Sequence, residues 1–174
     1  MNPIMSEETS HSQSKHQNNY DEAYRRGVGL VIFNDNGDVF LAERIGSADS
    51  WQMPQGGIDE DEDLEVAIFR EMEEEIGTRN AEILGMVAEW LFYDFPPHTA
   101  ARLWGGKYRG QRQKWVALRF TGTDSEICLD AHSNPEFSRW KWVPLDNLLQ
   151  YAVPFKRGVY ARVMQEFSQF VKKP

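Results

Sequence analysis

The sequence predicts an α/β domain of the α+β kind, a mixed β-sheet with helices packed against it. Three observations predict it: an early β-hairpin signature, two helical patterns of different character, and short apolar runs between them. The 174 residues suit one domain and leave little room for a second. They are 41% hydrophobic and 13% aromatic, enough to bury a core, which excludes wholesale disorder. No run approaches the ~18 apolar residues of a membrane span, and 26% of the residues are charged. The single cysteine, Cys128, cannot form an internal disulfide, which suits a reducing, cytoplasmic setting.

Residues 1–22 are polar and aperiodic and are expected to form a disordered tail, with the domain spanning 23–172. The tail lacks the basic and apolar regions of a secretory signal, and its Glu7 and Glu8 argue against a transit peptide. His11 and His16 within it read as incidental. From Gly27 to Phe33 the chain reads as a buried strand. Asn34-Asp35-Asn36-Gly37-Asp38 is turn chemistry, and Val39–Ala42 returns, giving the hairpin. A loop, Trp51 to Gly57, leads into a helix from about Asp63 to Ile76 that Gly77 closes as C-cap. Ile83–Phe92 and Trp115–Phe120 read as strands. Trp140 and Trp142 alternate with Arg139 and Lys141, the period of a half-buried strand. Val159, Tyr160, Val163, Met164, Phe167, Phe170 and Val171 recur at three-and-four spacing, which predicts a final amphipathic helix.

The net charge of -8 is local in origin. Between Asp59 and Glu75 ten acidic residues face one basic residue, Arg70, so the rest of the chain is nearly neutral. From Phe95 to Thr123 the sign reverses: Arg102, Lys107, Arg109, Arg112, Lys114 and Arg119 occur with no acidic residue. A focused carboxylate cluster beside a focused basic segment suggests metal ions holding a polyanion. Two solvated faces of opposite charge are the plainer alternative.

At 100° per residue, Glu71, Glu74 and Glu75 share an arc of about 100° that borders and overlaps the apolar face of Ala67, Ile68 and Met72. Glu73 points away from it. Two like charges ~4 Å apart repel by ~4 kcal/mol at an effective dielectric of 20. Arg70 offers one compensating charge, so hard divalent cations with oxygen preference are the natural remainder. An ordinary acidic helix face is the alternative.

The stretch GGIDEDEDLEVAIFREMEEEIGT, from Gly56 to Thr78, resembles the Nudix box. Gly56 is followed after five residues by Glu62. Seven residues later come Arg70-Glu71-Met72, then Glu74-Glu75 and Gly77, so every charged and glycine position matches. Thr78 stands where the family has an aliphatic residue, and Asp61 where close relatives often have Gly. Tyr24-Arg25, Trp51 to Gln55, Gly110 to Trp115, Pro135-Glu136-Phe137 with Trp140-Lys141-Trp142, and Pro154 to Arg157 extend the likeness across almost the whole chain after the tail. Together they resemble the branch holding RNA pyrophosphohydrolases and diadenosine tetraphosphate hydrolases.

That resemblance implies the Nudix fold, a mixed sheet sandwiched between helices, and hydrolysis of phosphoric anhydride bonds by a metal-activated water. It implies Glu71, Glu74 and Glu75 as metal ligands, with a carbonyl of Gly56 or Gly57 helping. Arg70 would orient the glutamates and Glu62 would fix the loop to the helix. Glu136 would be a further ligand or the general base. Arg25, Arg44, Lys114 and Lys156 match positions that contact phosphates or stack on a base, and Tyr93 and Phe155 are candidate base or phosphate contacts. Phe155 reads equally as core packing ahead of the last helix. The implied cofactor is Mg²⁺, with Mn²⁺ or Zn²⁺ as alternatives. The expected substrate is 5′-triphosphorylated RNA or a dinucleoside polyphosphate, with no DNA or membrane partner and a monomer as the favoured state. An inactive Nudix-fold module that binds nucleotides or RNA is the reading from another class, and the three crowded carboxylates argue against it.

Overall fold

The computed structural model describes residues 20–172. The expected tail over 1–22 falls mostly outside them. Its last three residues, 20–22, are helical and packed: the Tyr20 ring lies 5.2 Å from Tyr24, and Asp21 pairs with Arg112 at 3.1 Å.

The hairpin opens the sheet. Strand β1 (Tyr24–Phe33) and β2 (Asp38–Arg44) are joined by a turn in which the Asn34 side chain accepts from the N–H groups of Asn36 and Asp38. Gly37 takes φ +82° there, a conformation that costs glycine little. The Trp51–Gly57 stretch is not a plain loop. It holds two short strands, β3 (Trp51–Gln52) and β4 (Gln55–Gly57), and β4 pairs antiparallel with β1 so that Gly56 faces Val28.

Helix α1 (Leu64–Ile76) begins and ends where the sequence predicts. The Asp63 carboxylate accepts from the Glu65 N–H at its start, a cap worth about 1 kcal/mol. Gly77 closes it in the left-handed conformation, donating to the Glu73 carbonyl. Asp61, where glycine would be natural, also has positive φ, +62°, which explains the family's preference at that point. Thr78 is buried, and its hydroxyl accepts from the Asn80 N–H.

The predicted strand Ile83–Phe92 is interrupted. Strands β5 (Ala81–Met86) and β6 (Leu91–Asp94) both pair antiparallel with one long strand, β7 (Gly110–Phe120). Met86 faces Val116 and Leu91 faces Gln113, so residues 87–90 oppose only Lys114 and Trp115 and must bulge out. Between β6 and β7 lie a short helix α2 (Pro97–Arg102) and a 3₁₀ turn (Leu103–Gly106), neither legible from periodicity. Strand β8 (Phe137–Pro144) pairs with β2, followed by the short helix α3 (Leu148–Tyr151) and by α4 (Arg157–Phe167). The final helix is shorter than its apolar pattern: from Ser168 to Phe170 it tightens into a 3₁₀ turn.

β1 and β7 run parallel at the centre of an eight-stranded mixed sheet of order β3-β2-β1-β7-β5, with β4, β6 and β8 attached to its sides. Alternation along β1 splits the core. Val28, Leu30 and Ile32 pack under α1 with Ala67, Ile68 and Met72. Val31 and Phe33 face the other way, with Trp115, Tyr160, Val163 and Phe167 under α4. The sheet is thus sandwiched between α1 and α4, as the resemblance implies. Among the described residues no helix is long and apolar enough to cross a membrane.

Candidate active site

The acidic wall is built by β4, α1 and the loop between them. Glu71 and Glu75 are buried; Glu74 and Glu73 have equally exposed side chains, but Glu74 reaches Arg70 at 3.3 Å whereas Glu73 pairs with Arg79 at 3.2 Å. The arc drawn from the helical period therefore holds. Arg70 ties the wall together. Its Nε and Nη2 donate to both Glu62 oxygens at 2.6 and 2.8 Å, and Nη2 also donates to the Gly57 carbonyl at 2.9 Å. Nη1 reaches Glu71 at 2.8 Å and Glu74 at 3.3 Å. Glu62 in turn accepts from the Asp59 N–H, so it fastens the loop to the helix, and the Arg70 hydrogen bonds hold its carboxyl down at about 2.

The paired glycines leave the room that two charged side chains occupy. A β-carbon on Gly56 would sit 1.9 Å from the Glu71 carboxyl carbon, and one on Gly57 would sit 2.2 Å from Arg25 Nη2. Both contacts are far inside van der Waals distance. One carboxylate and one guanidinium can approach the backbone only because the side chains are missing.

A cavity of about 460 Å³ joins this wall to a basic one. Glu71, Glu74, Glu75 and Glu136 line one side, and Arg25, Arg44, Lys156, Tyr93 and Phe155 the other, with Gly56 and Gly57 between them. The ring of Phe155 is 37% exposed and lies 5.8 Å from Tyr93, so it forms cavity wall and not core. Lys156 is buried, donates to Gln55 Oε1 at 3.2 Å, and is pushed down to about 8 by burial and then by the nearby Arg44 charge. Burial pushes Glu71 upward against the pull of Arg70. Burial pushes Glu75 well above the carboxylate range, and the charges of Glu136 and Glu71 add to the effect.

Lys114 is not brought to this cavity. Its side chain leaves β7 on the face opposite Gln111 and Gln113, and its ammonium donates to the carbonyls of Val87 and Ala88. The reason is local: the bulge at residues 87–90 frees carbonyls that a neighbouring cation satisfies. Residues that the sequence reading did not place in the site are Gln55, Gln111 and Trp104. Gln113 donates to the side chains of both glutamines, and Trp104 stacks under Arg25 at 4.6 Å with φ +47°. The alternation of Gln111, Gln113 and Trp115 could have revealed the first face; nothing in the sequence reveals a left-handed tryptophan.

The donors fit a hard divalent cation in kind: four carboxylates line one cavity, and Glu75 Oε2 is buried without a hydrogen-bond partner among the described residues. They are not closed around a point. Among the described residues, no three His, Cys, Asp or Glu side chains converge tightly enough to hold an ion, and Arg70 draws Glu71 and Glu74 toward itself.

A family model described as the NUDIX domain matches residues 23–163. The chain belongs to the NUDIX family. It is 56% identical over 147 residues to a Rhodospirillum rubrum protein named "RNA pyrophosphohydrolase", covering 84% of this chain and 88% of the relative. It is 50% identical over 153 residues to an Acidiphilium cryptum protein of the same name, covering 86% and 93%. Among solved structures, a Caenorhabditis elegans Ap4A hydrolase binary complex superposes with a TM-score of 0.60 at 22% identity, over 83% of this chain and 97% of the other. At that identity the likeness shows the fold. The NUDIX fold accounts for the mixed sheet and for the placement of the glutamate helix against β1.

Proposed function

We propose that this NUDIX protein removes pyrophosphate from the triphosphorylated 5′ end of RNA. The observation that carries the reading is a single cavity with four carboxylates on one wall and Arg25, Arg44, Lys156 and Phe155 on the other. Such a space takes a polyphosphate with a base attached. The names of the relatives at 50–56% identity support RNA as the substrate class.

Glu71, Glu74 and Glu75 would hold divalent cations, Mg²⁺ first and Mn²⁺ or Zn²⁺ after it, with a Gly56 or Gly57 carbonyl and Glu136 completing the oxygen set. Bound there, such ions supply positive charge to the phosphoryl oxygens and lower the pKa of water. The chain's own groups do the rest. Arg25, Arg44 and Lys156 neutralise the phosphates, and Phe155 stacks on a base. Arg70 positions Glu71 and Glu74 through the hydrogen bonds described above. Glu136, facing Glu75, acts as a fourth ligand or as the base that takes the proton of the attacking water.

Diadenosine tetraphosphate is the second reading. Two exposed rings in the cavity, Phe155 and Trp104, would suit a substrate with a base at each end. Initial rates on triphosphorylated RNA and on diadenosine tetraphosphate, at matched concentration with Mg²⁺, decide between them. Faster release from RNA is expected, and a clear preference for the dinucleotide would sink the RNA reading. Turnover of neither would leave a binding module.

A further inference from the structure

On the α1 side of the sheet, at the start of β1, stands a row of rings and cations that the reaction does not use. Arg26 on β1, Arg112 on β7 and Phe92 on β6 are register partners, so their side chains stand in one line. The Trp90 ring sits among cations, 5.3 Å from the Arg112 guanidinium, 5.6 Å from Lys114 and 5.9 Å from Arg26. Phe92 is 36% exposed and packs edge-on to Tyr24 at 5.0 Å.

Like charges directly opposite each other across two strands are destabilising. Asp21 answers Arg112, whereas Arg26 has no ion pair among the described residues. Such a pair persists at least cost when an anion covers it. The row is also continuous with the cavity. A shallow groove of about 280 Å³ runs over the edge of β6, sharing Tyr93 and Phe155 with the cavity and Phe92 with the row.

We propose that this row binds single-stranded RNA downstream of the triphosphorylated end. Arg26 and Arg112 take its phosphates, and bases stack on Phe92 and Trp90 after the strand crosses the β6 edge. Alternating rings and cations on an open sheet face are what sequence-tolerant single-strand binding uses. The proposal rests on RNA as the substrate class, and its test reads binding instead of turnover.

The probe is an unstructured, fluorescently labelled RNA of about ten nucleotides with a 5′ hydroxyl, titrated by anisotropy at low salt. Arg26→Glu, an exposed position, is expected to weaken binding about tenfold or more and to flatten its salt dependence. Trp90→Leu is expected to weaken it about 5- to 150-fold. Thermal midpoints near wild type show that both variants are folded. Unchanged affinity in Arg26→Glu overturns the proposal, as does displacement of the RNA by inorganic polyphosphate with equal affinity, since a chain without bases has nothing to stack. If RNA binds in this way but its triphosphorylated form is not hydrolysed, the proposed reaction fails and the row stands. If it is hydrolysed while the variants bind normally, the reverse holds.

Discussion

The two walls of the cavity are assembled in opposite ways. The acidic wall is nearly all one contiguous stretch, Gly56 to Gly77, in which Arg70 bonds Glu62, Glu71, Glu74 and the Gly57 carbonyl at once. The basic wall is gathered from β1, β2, β6 and the turn before α4; Gln55 joins Lys156 to Tyr93, but among the described residues no single side chain bonds Arg25 and Arg44 as well. Arg25, Arg44, Tyr93 and Lys156 meet because four separate elements end in the same place. The like charges of one wall share a brace within a few turns of chain, whereas the cations of the other are positioned by elements far apart in sequence.

The largest effect is expected on the braced side. Glu71→Gln, Glu74→Gln and Glu75→Gln should each cut kcat by orders of magnitude while keeping the side-chain volume. Glu73→Gln, on the outward side of the same helix, should be nearly silent in the same steady-state assay. A large loss in Glu73→Gln would show that position on the helix does not decide function.

On the gathered side the effect falls on binding. Phe155→Ala removes an exposed ring and should raise KM for triphosphorylated RNA about 5- to 150-fold, the range of a lost base stack, with a smaller change in kcat. Unchanged kinetics would return Phe155 to a packing role and detach the base site from this wall.

A smaller effect concerns the brace itself. Ions held only by the folded carboxylates stabilise by mass action, about 2.7 kcal/mol at a hundred times the dissociation constant, or roughly 5–10 °C in Tm for a chain of this size. Thermal scans with and without Mg²⁺ at constant ionic strength measure it. Because Arg70 positions Glu71 and Glu74, Arg70→Gln should raise the ion's midpoint concentration, and an identical titration would remove that positioning role.

A pH-dependent effect on the other wall comes from Lys156. Its folded value of about 8 lies below the ~10.4 of an unfolded lysine, so the unfolded chain binds more protons between those values. Its charged form therefore destabilises the fold below about pH 8, and stability recovers as pH rises toward 10.4. Urea midpoints should rise with pH in the native chain relative to Lys156→Met over that window, and parallel curves would refute it.

The same contrast governs what could be read from the sequence. Helix α1, its caps and its carboxylate arc were legible because every partner lies within a few turns of chain. Glu62 and Arg70, eight residues apart, needed no tertiary information. Lys114 shows the limit: its residue type and neighbourhood suited a phosphate contact, but the face it takes depends on a bulge in a partner strand. The break at residues 87–90 was invisible for the same reason, since it exists only relative to the register of β7. Trp104 owes its place under Arg25 to a turn whose geometry no spacing announces.

The parallel ladder between β1 and β7 also sets an order in time. Tyr24 must find Gly110 and Phe33 must find Arg119, with the whole acidic helix threaded between them. At ~5–20 residues per second, a ribosome completes α1 several seconds before β7 and β8 emerge. In that interval the glutamate helix has its own Arg70 but neither the strand that orders the floor beneath it nor Glu136. The Arg70 brace is complete in sequence by then, since its partners Gly57, Glu62, Glu71 and Glu74 all precede β7.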